Sequence, residues 1–209
     1  MANDASPNSA AAAGAAAGAA AALQSLRSRR SVPALLLGEP GPAGDEIDAA
    51  LEAAVHAPDH GALRPWRFVL IRESAARARL AELFATRMLE RDPGIPPGKV
   101  DKARSMPRTA PLVIAVAAHV LSAHKVPELE QLLSTGAAVM NLLNAFHAQG
   151  YGAIWLTGAN GYDRQIGAQL GFGPEERSLG FIYVGTVQGT LREGPARPAR
   201  SAVAREWAG

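Results

Sequence analysis

Apolar residues recur at the spacing of an amphipathic helix in several stretches of the chain. Residues 45–55 carry acids in their first turn and apolar side chains at positions 47, 51, 54 and 55. Residues 128–149 are polar at first but almost continuously apolar from 137 to 146. We expect this last helix to be buried nearly all round, in a core or against a second subunit. Further helical segments are predicted at 23–28, 75–90 and 163–170.

Apolar runs of strand length alternate with these helices. The run 111–118 shows no polar alternation, which is typical of a strand covered on both faces, so we place it at the centre of a sheet. The other predicted strands are 67–72, 153–156 and 179–187. This alternation of strand and helix patterns predicts an α/β or α+β sandwich and argues against an all-helical bundle.

The two ends of the chain differ from its middle in composition. Residues 1–23 are mostly Ala, Gly, Ser and Asn, and the glycines at 14 and 18 disfavour a helix, so a disordered tail is predicted. Residues 191–209 are rich in Pro, Arg and Gly and are predicted to be an extended tail, which leaves one domain at 24–190. The alanine run is too short and too weakly apolar for a membrane span, and no basic segment precedes it. These features predict a cytoplasmic protein without a signal peptide.

Composition narrows the possible chemistry. The 209 residues include no Cys, which excludes disulfides, thiolate metal ligands and thiol catalysis. The formal net charge is only +2 and is spread along the chain, so nucleic acid is not an expected partner. His119, His124 and His147 lack companions at metal-ligand spacing, and no metal site is predicted. The sequence also lacks the G-x-G-x-x-G, phosphate-loop and nucleophile-elbow motifs.

Three short islands carry the remaining chemical information, and each has two readings. Arg29-Arg30-Ser31 follows the first predicted helix, where cations either complement the helix dipole or bind a phosphate. Pro58-Asp59-His60, running to Pro65-Trp66, is either a locally capped loop or a binding turn. Residues 150–158 form a strand bracketed by glycines. These provide either a tight entry and exit for the strand or a close approach of the backbone to a planar ligand.

In this order and at this spacing, the three islands resemble the nitroreductase family of FMN-dependent oxidoreductases over about residues 24–190. The resemblance is to a short branch of NAD(P)H nitroreductases whose flavin pocket carries a Pro-Asp-His turn. It implies an α+β fold with a central mixed, mostly antiparallel sheet flanked by helices, and a long buried helix at a dimer interface. Two positions depart from the wider family, since Ala62 replaces a common Asn and Arg64 a common Gln.

The resemblance also implies contacts with FMN and with the nicotinamide. Arg29-Arg30-Ser31 would hold the FMN phosphate and ribityl chain. His60 would lie beside the flavin, and His56 would contribute from one subunit to a pocket completed by the other. The residues along the flavin ring, where main-chain donors stabilise the charge of the reduced flavin, would be Trp155, Leu156 and Thr157. One further stretch resembles a nicotinamide contact, although core packing explains it equally well. Its residues are Ala145, Phe146, His147, Ala148, Gln149 and Gly150.

The function implied by the resemblance is hydride transfer from NADH or NADPH to N5 of FMN, followed by reduction of an acceptor. Nitroaromatics and quinones are the expected acceptors, in a homodimer with two sites and ping-pong kinetics. FMN supplies the redox chemistry, so no catalytic side chain is predicted. Three alternatives stay open: a specialised flavin enzyme of the same fold, such as a dehalogenase or a flavin-fragmenting synthase, an FMN-storing or FMN-sensing protein, and a binding module without flavin.

Overall fold

The strands form one five-stranded sheet, and helices pack on both of its faces. The computed structural model describes residues 7–209. The helices are α1 (Pro7–Ser28), α2 (Gly44–Ala54), α3 (Ser74–Arg91), α4 (Pro97–Thr109), α5 (Glu128–Ala148), α6 (Gly158–Gly161), α7 (Arg164–Gln169) and α8 (Arg200–Val203). The strands are β1 (Leu37–Gly38), β2 (Trp66–Ile71), β3 (Leu112–His119), β4 (Gly152–Leu156) and β5 (Glu176–Val187).

All ladders between neighbouring strands of the sheet are antiparallel. The strand order is β1-β5-β3-β2, and β4 also pairs with β5. Outside these strands, an isolated parallel bridge joins Ser31 to Ala153, so the pairing is mostly antiparallel, as the resemblance implies. Residues 113–118 of β3 are 0% exposed, because helices cover both faces of this strand. The α+β fold and the central position of the 111–118 strand are therefore confirmed.

Alternate residues of β3 serve two hydrophobic cores on the two faces of the sheet. Ile114 belongs to the core that α2 and α5 cover, together with Leu142. Val113 belongs to the opposite core, together with Phe84 of α3. The candidate site residues lie at the ends and edges of these layers, where the core fixes the backbone and leaves side chains accessible.

Helix α5 confirms the helix predicted at 128–149 and is buried along most of its length. Phe146 at its C-terminal end is 0% exposed. One side of α5 nevertheless carries large apolar side chains in the open: Leu129 is 65% exposed, Leu133 62% and Met140 41%. Their spacing of four and seven residues places them on one face of the helix. We call these three residues the α5 stripe.

The N-terminal segment differs from the prediction. A disordered tail is predicted at 1–23, but helix α1 runs from Pro7 to Ser28; residues 1–6 lie outside the described residues. Alanine has the highest helix propensity, and the alanine run outweighs the cost of Gly14 and Gly18, about 1 kcal/mol each. Within residues 7–209, no helix combines the length and hydrophobicity needed to cross a bilayer. At the other end, residues 191–209 have no regular structure apart from α8.

Helix α4 has no counterpart among the predicted elements. Its sequence carries prolines at 97 and 107, and the buried residues of the helix are Val100 and Pro107 alone. Proline is well tolerated at the first position of a helix, where its missing N–H needs no partner, so Pro97 begins α4 without interrupting it. The weak apolar pattern hid this helix, which nevertheless packs against α3 and covers one face of the sheet.

Candidate functional site

The Arg29-Arg30-Ser31 triplet directly follows α1 and is tied to the start of β4. The N–H of Val32 donates to the carbonyl of Ala153 at 3.0 Å, next to the bridge between Ser31 and Ala153. Arg29 and Arg30 line a cavity of about 270 Å³ whose other wall includes His147 and Gly150. The structure therefore brings the first island together with the end of α5 and the beginning of the third island.

The guanidinium groups at this cavity have hydrogen-bond donors that the described residues do not use. Nε of Arg29 is buried and has no hydrogen-bond partner among the residues that the structure describes. Arg30 donates through Nη1 to the carbonyl of Arg192 at 3.1 Å. Because a buried charged donor without an acceptor is rare, and a guanidinium matches the oxygens of a phosphate, the triplet fits a phosphate group.

Strand β4 has an open edge that begins at this triplet. One side of β4 pairs with β5, whereas its other side meets Val32 at Ala153. Successive residues direct their N–H and C=O groups to opposite sides of a strand, so the backbone of Trp155 shares the open side with Ala153. The strand rises about 13 Å from Ala153 to Thr157. Along this edge, an elongated ligand held at the triplet would reach Thr157 at its other end.

The side chains at the end of β4 have different surroundings. Trp155 donates its indole N–H to the carbonyl of Leu179 at 2.9 Å, so its one polar side-chain group is already used. Leu156 and Thr157 line a second cavity, of about 390 Å³, together with aromatic residues of α3 and β5. Thr157 is exposed. A planar ligand at this end would meet main-chain groups and apolar side chains.

The second island is a rigid turn that presents His60. The carboxylate of Asp59 accepts the N–H of Leu63 at 3.2 Å and of Arg64 at 2.8 Å. Gly61, Ala62 and Arg64 all have φ between 50° and 77°, a region that costs energy for residues other than glycine. Such strain persists where the surrounding structure fixes the chain, and it is common at ligand-binding turns.

Contacts with neighbouring helices orient the two histidines of this island. Nδ1 of His60 lies 2.7 Å from Oε2 of Glu130 on α5, and the His60 side chain is 64% exposed. Nδ1 of His56 lies 2.8 Å from the carbonyl of Glu52. Since the contact with Glu130 uses Nδ1, the other ring nitrogen of His60, Nε2, is the one left for a ligand.

Within one chain, the second island lies far from the first. His60 contacts Glu130 near the start of α5, whereas Ser28, next to Arg29, contacts His147 near its end at 2.9 Å. At a rise of 1.5 Å per residue, the seventeen steps from Glu130 to His147 span about 25 Å of helix. A single chain therefore does not bring His60 to the triplet.

The stretch Ala145 to Gly150, predicted to contact the nicotinamide, lies beside the triplet and away from Thr157. The side chain of Phe146 is fully buried in the core. Gln149 donates through Nε2 to the carbonyl of Glu46 at 2.9 Å. Gly150 has a φ of 90° and lines the same cavity as Arg29. Packing and chain reversal account for Phe146 and Gly150, so contact with the nicotinamide stays a prediction.

A charged network beneath Thr157 was missed in the sequence reasoning. Asp163 caps α7 by accepting the N–H of Gln165 at 2.8 Å, and it pairs with Arg87 and Arg91 of α3. Burial acts to raise the pKa of Asp163, but hydrogen bonds from the Ile166 N–H, Arg87 and the Gln165 N–H outweigh it and hold the pKa below its ordinary value. An Asp before a helical segment indicates an N-cap in the sequence, but its ion pairs with arginines far away along the chain cannot be recognised there.

The described residues contain no cluster of His, Asp or Glu side chains that could hold a metal ion. The site therefore consists of a cationic triplet, an open strand edge, an apolar end at Thr157 and a histidine turn about one helix length away. This donor set suits an elongated ligand that is anionic at one end and planar at the other.

Comparison with known proteins identifies the family of this chain. The model of the nitroreductase family matches residues 26–186. The chain is 38% identical over 166 residues to "Putative NAD(P)H nitroreductase YdjA" of Escherichia coli, covering 79% of this chain and 88% of that protein.

Two solved structures share the fold. The nitroreductase-like family protein of Bacillus cereus superimposes with a TM-score of 0.74 at 20% identity, covering 90% of this chain and 96% of that one. A nitroreductase with bound FMN from Bacteroides fragilis gives a TM-score of 0.69 at 18% identity, covering 88% and 98%. With the family model spanning the sheet and all three islands, the chain belongs to the nitroreductase family.

Proposed function

We propose that this protein is an FMN-dependent oxidoreductase that takes a hydride from NADH or NADPH and reduces a nitroaromatic, quinone or similar acceptor. The observation that carries the proposal is the buried Nε of Arg29, a charged donor without a partner in the described chain, at the start of the open β4 edge. The family membership and the name of the Escherichia coli relative support the same chemistry.

FMN fits this site in one direction. Its phosphate would be held by Arg29-Arg30-Ser31, where fixed guanidinium and hydroxyl donors meet the anionic oxygens. Its ring would lie against the end of β4 at Trp155, Leu156 and Thr157, where main-chain groups of the open edge orient it. When bound, FMN supplies hydride acceptance at N5, so the protein binds, orients and shields the ring.

A second subunit would complete the site. The α5 stripe is large and apolar yet exposed, and helices bury such faces by pairing. If two α5 helices pack antiparallel around a two-fold axis between Glu130 and His147, the start of one helix lies opposite the end of the other. His60 of the partner subunit then reaches the neighbourhood of Arg29, which resolves the separation of about 25 Å within one chain.

Subunit complementation tests the shared site. Arg29→Ala and His60→Ala would each disable both sites of a homodimer. In a mixed dimer, however, one site receives both substitutions and the other receives none. Refolding the two variants together should restore about a quarter of the wild-type activity, since half of the dimers are mixed and each has one intact site. Activity no greater than that of the separate variants would contradict a site built from two subunits.

Initial-rate kinetics test the reaction. With NADH and nitrofurazone varied together, double-reciprocal plots should give parallel lines, because reduction and reoxidation occur at one shared site.

Arg27→Ala is the matched control for Arg29→Ala, since Arg27 is an exposed arginine of the same helix end. FMN binding without NADH or NADPH oxidation would favour the storage alternative instead. A cytoplasmic location stays a prediction within this proposal.

A further inference from the structure

The cavity at the end of β4 has the composition of a ligand pocket. It has a volume of about 390 Å³ and lies between α3, α4 and the sheet. We call it the Thr157 cleft, defined by Phe84, Met106, Leu156, Thr157, Phe181 and Tyr183. Its volume is in the range of small-molecule sites, and its lining contains no charged side chain.

Tyr183 of β5 contributes a hydroxyl to the lining of this cleft. Its side chain is 2% exposed, and its hydroxyl forms no hydrogen bond with any described residue. Burial alone raises the pKa of Tyr183, so the hydroxyl keeps its proton and remains a donor. The hydroxyl is not one of the fully buried side-chain atoms that lack a partner, so it borders the open space of the cleft that Tyr183 lines. The hydroxyl is therefore a hydrogen-bond donor available to a ligand in the cleft.

The walls of the cleft select a flat, neutral ring. Phe84 and Phe181 are each 4% exposed and pack edge to face, with ring centroids 4.9 Å apart and planes at 67°. This arrangement fixes an aromatic wall. Met106 on α4 provides a flexible apolar wall that adapts to ligand shape.

We infer that the Thr157 cleft binds the electron acceptor, as a neutral aromatic ring whose carbonyl or nitro oxygen accepts a hydrogen bond from Tyr183. The inference rests on the proposed function, because Leu156 and Thr157 line the cleft and are also the residues proposed to lie along the flavin ring. Tyr183 is then a specificity-determining residue that favours acceptors with an oxygen on a planar ring over acceptors without one.

Replacement of one hydroxyl tests this inference. Tyr183→Phe keeps the ring and removes the donor, and menadione is the probe because it is a flat, neutral quinone. NADH and a proton reduce menadione to its hydroquinone, giving NAD⁺. The KM for menadione should rise roughly fivefold to tenfold, the effect of one lost hydrogen bond. The KM for ferricyanide, a charged acceptor that needs no apolar cleft, should not change.

Two controls separate a ligand contact from a structural effect. Tyr162→Phe removes a hydroxyl from a tyrosine that is 58% exposed, and it should leave the KM for menadione unchanged. The melting temperature of Tyr183→Phe should equal or exceed that of wild type, because no hydrogen bond within the chain is lost. Met106→Trp fills the cleft from the α4 side and should weaken menadione binding without removing any polar group.

Calorimetric titration of the oxidised protein with menadione gives a second readout that requires no turnover. The expected result is a dissociation constant roughly fivefold to tenfold weaker in Tyr183→Phe. Equal menadione affinity in wild type, Tyr183→Phe and Met106→Trp would overturn the inference. Weaker FMN binding by Tyr183→Phe with unchanged menadione affinity would also overturn it, since the cleft would then hold the cofactor. Failure of NADH to reduce the flavin would instead count against the proposed function, and the titration would still test the cleft.

Discussion

Replacing Asp163 should destabilise the segment that carries Thr157. The Asp163 side chain is 4% exposed and accepts hydrogen bonds from the N–H groups of Gln165 and Ile166 while pairing with Arg87 and Arg91. Arg91 also donates to Asn160, which joins α3 to α6. Because α6 and α7 directly follow Thr157, this network holds the ring end of the proposed site.

Two substitutions separate the charge from the cap. Asp163→Asn keeps an oxygen that can cap α7 but removes the carboxylate that Arg87 and Arg91 share, so that Arg91 loses its ion pair and Arg87 keeps only Glu90. We expect a loss of about 2–3 kcal/mol, less than for a fully buried ion pair because the side chain of Arg91 is 30% exposed. Asp163→Ala should lose about 1 kcal/mol more, the typical value of an N-cap.

Urea unfolding followed by circular dichroism, at one protein concentration, measures both losses. Asp101→Asn is the matched control, since Asp101 is 71% exposed and pairs with Arg104 at 3.2 Å, and it should cost under about 0.5 kcal/mol. A free energy of unfolding for Asp163→Asn that matches that of the Asp101 control would refute the reasoning.

The same network predicts a pH dependence. The pKa of Asp163 is lower in the folded protein than its ordinary value, so the folded state favours the carboxylate. The stabilisation is therefore complete above about pH 4, the ordinary aspartate range, and is lost as the pH falls through the lower folded value. The stability difference between wild type and Asp163→Asn should shrink on acidification, and a constant difference would contradict the assignment.

Two further predictions concern cofactor binding and the end of β4. Arg29→Ala should weaken FMN binding in equilibrium dialysis more than His60→Ala does, because it leaves a phosphate charge unpaired; equal affinities would contradict the assigned roles. Gly180→Ala should destabilise by about 3 kcal/mol or more, since its φ is 106° and a Cβ would clash with the carbonyl oxygen of Leu156. Gly189→Ala, with φ of 75° but open space, should cost only about 1 kcal/mol, and similar melting temperatures for the two would exclude the clash.

Elements with a strong local pattern could be predicted from the sequence. The predictions of strand β3 and of the long apolar helix α5 are both confirmed, because burial of these elements shows directly in the pattern of their apolar residues. Helix α4 was missed since its two prolines and few apolar residues resemble a loop. The tail prediction at 1–23 gave too much weight to Gly14 and Gly18 against the alanines around them.

The site could be predicted only as separate motifs. The motifs in the sequence indicate Arg29 and His60 as candidate site residues. They do not show that the two residues lie at opposite ends of α5, because contacts such as that of His60 with Glu130 join residues seventy positions apart. The same holds for Tyr183, which reads as an ordinary strand residue. Its significance depends on a hydroxyl that finds no partner among the described residues after folding.

Visible absorbance spectroscopy of the purified protein, with anaerobic addition of NADH and then NADPH, tests the central claim most directly. The account predicts oxidised flavin bands after reconstitution with FMN, bleaching of these bands by at least one donor, and loss of the bands in Arg29→Ala. Absence of any flavin band in the reconstituted wild-type protein would contradict the proposed function. It would also contradict the cofactor roles proposed for the Arg29-Arg30-Ser31 triplet, for His60 and for the end of β4 at Thr157.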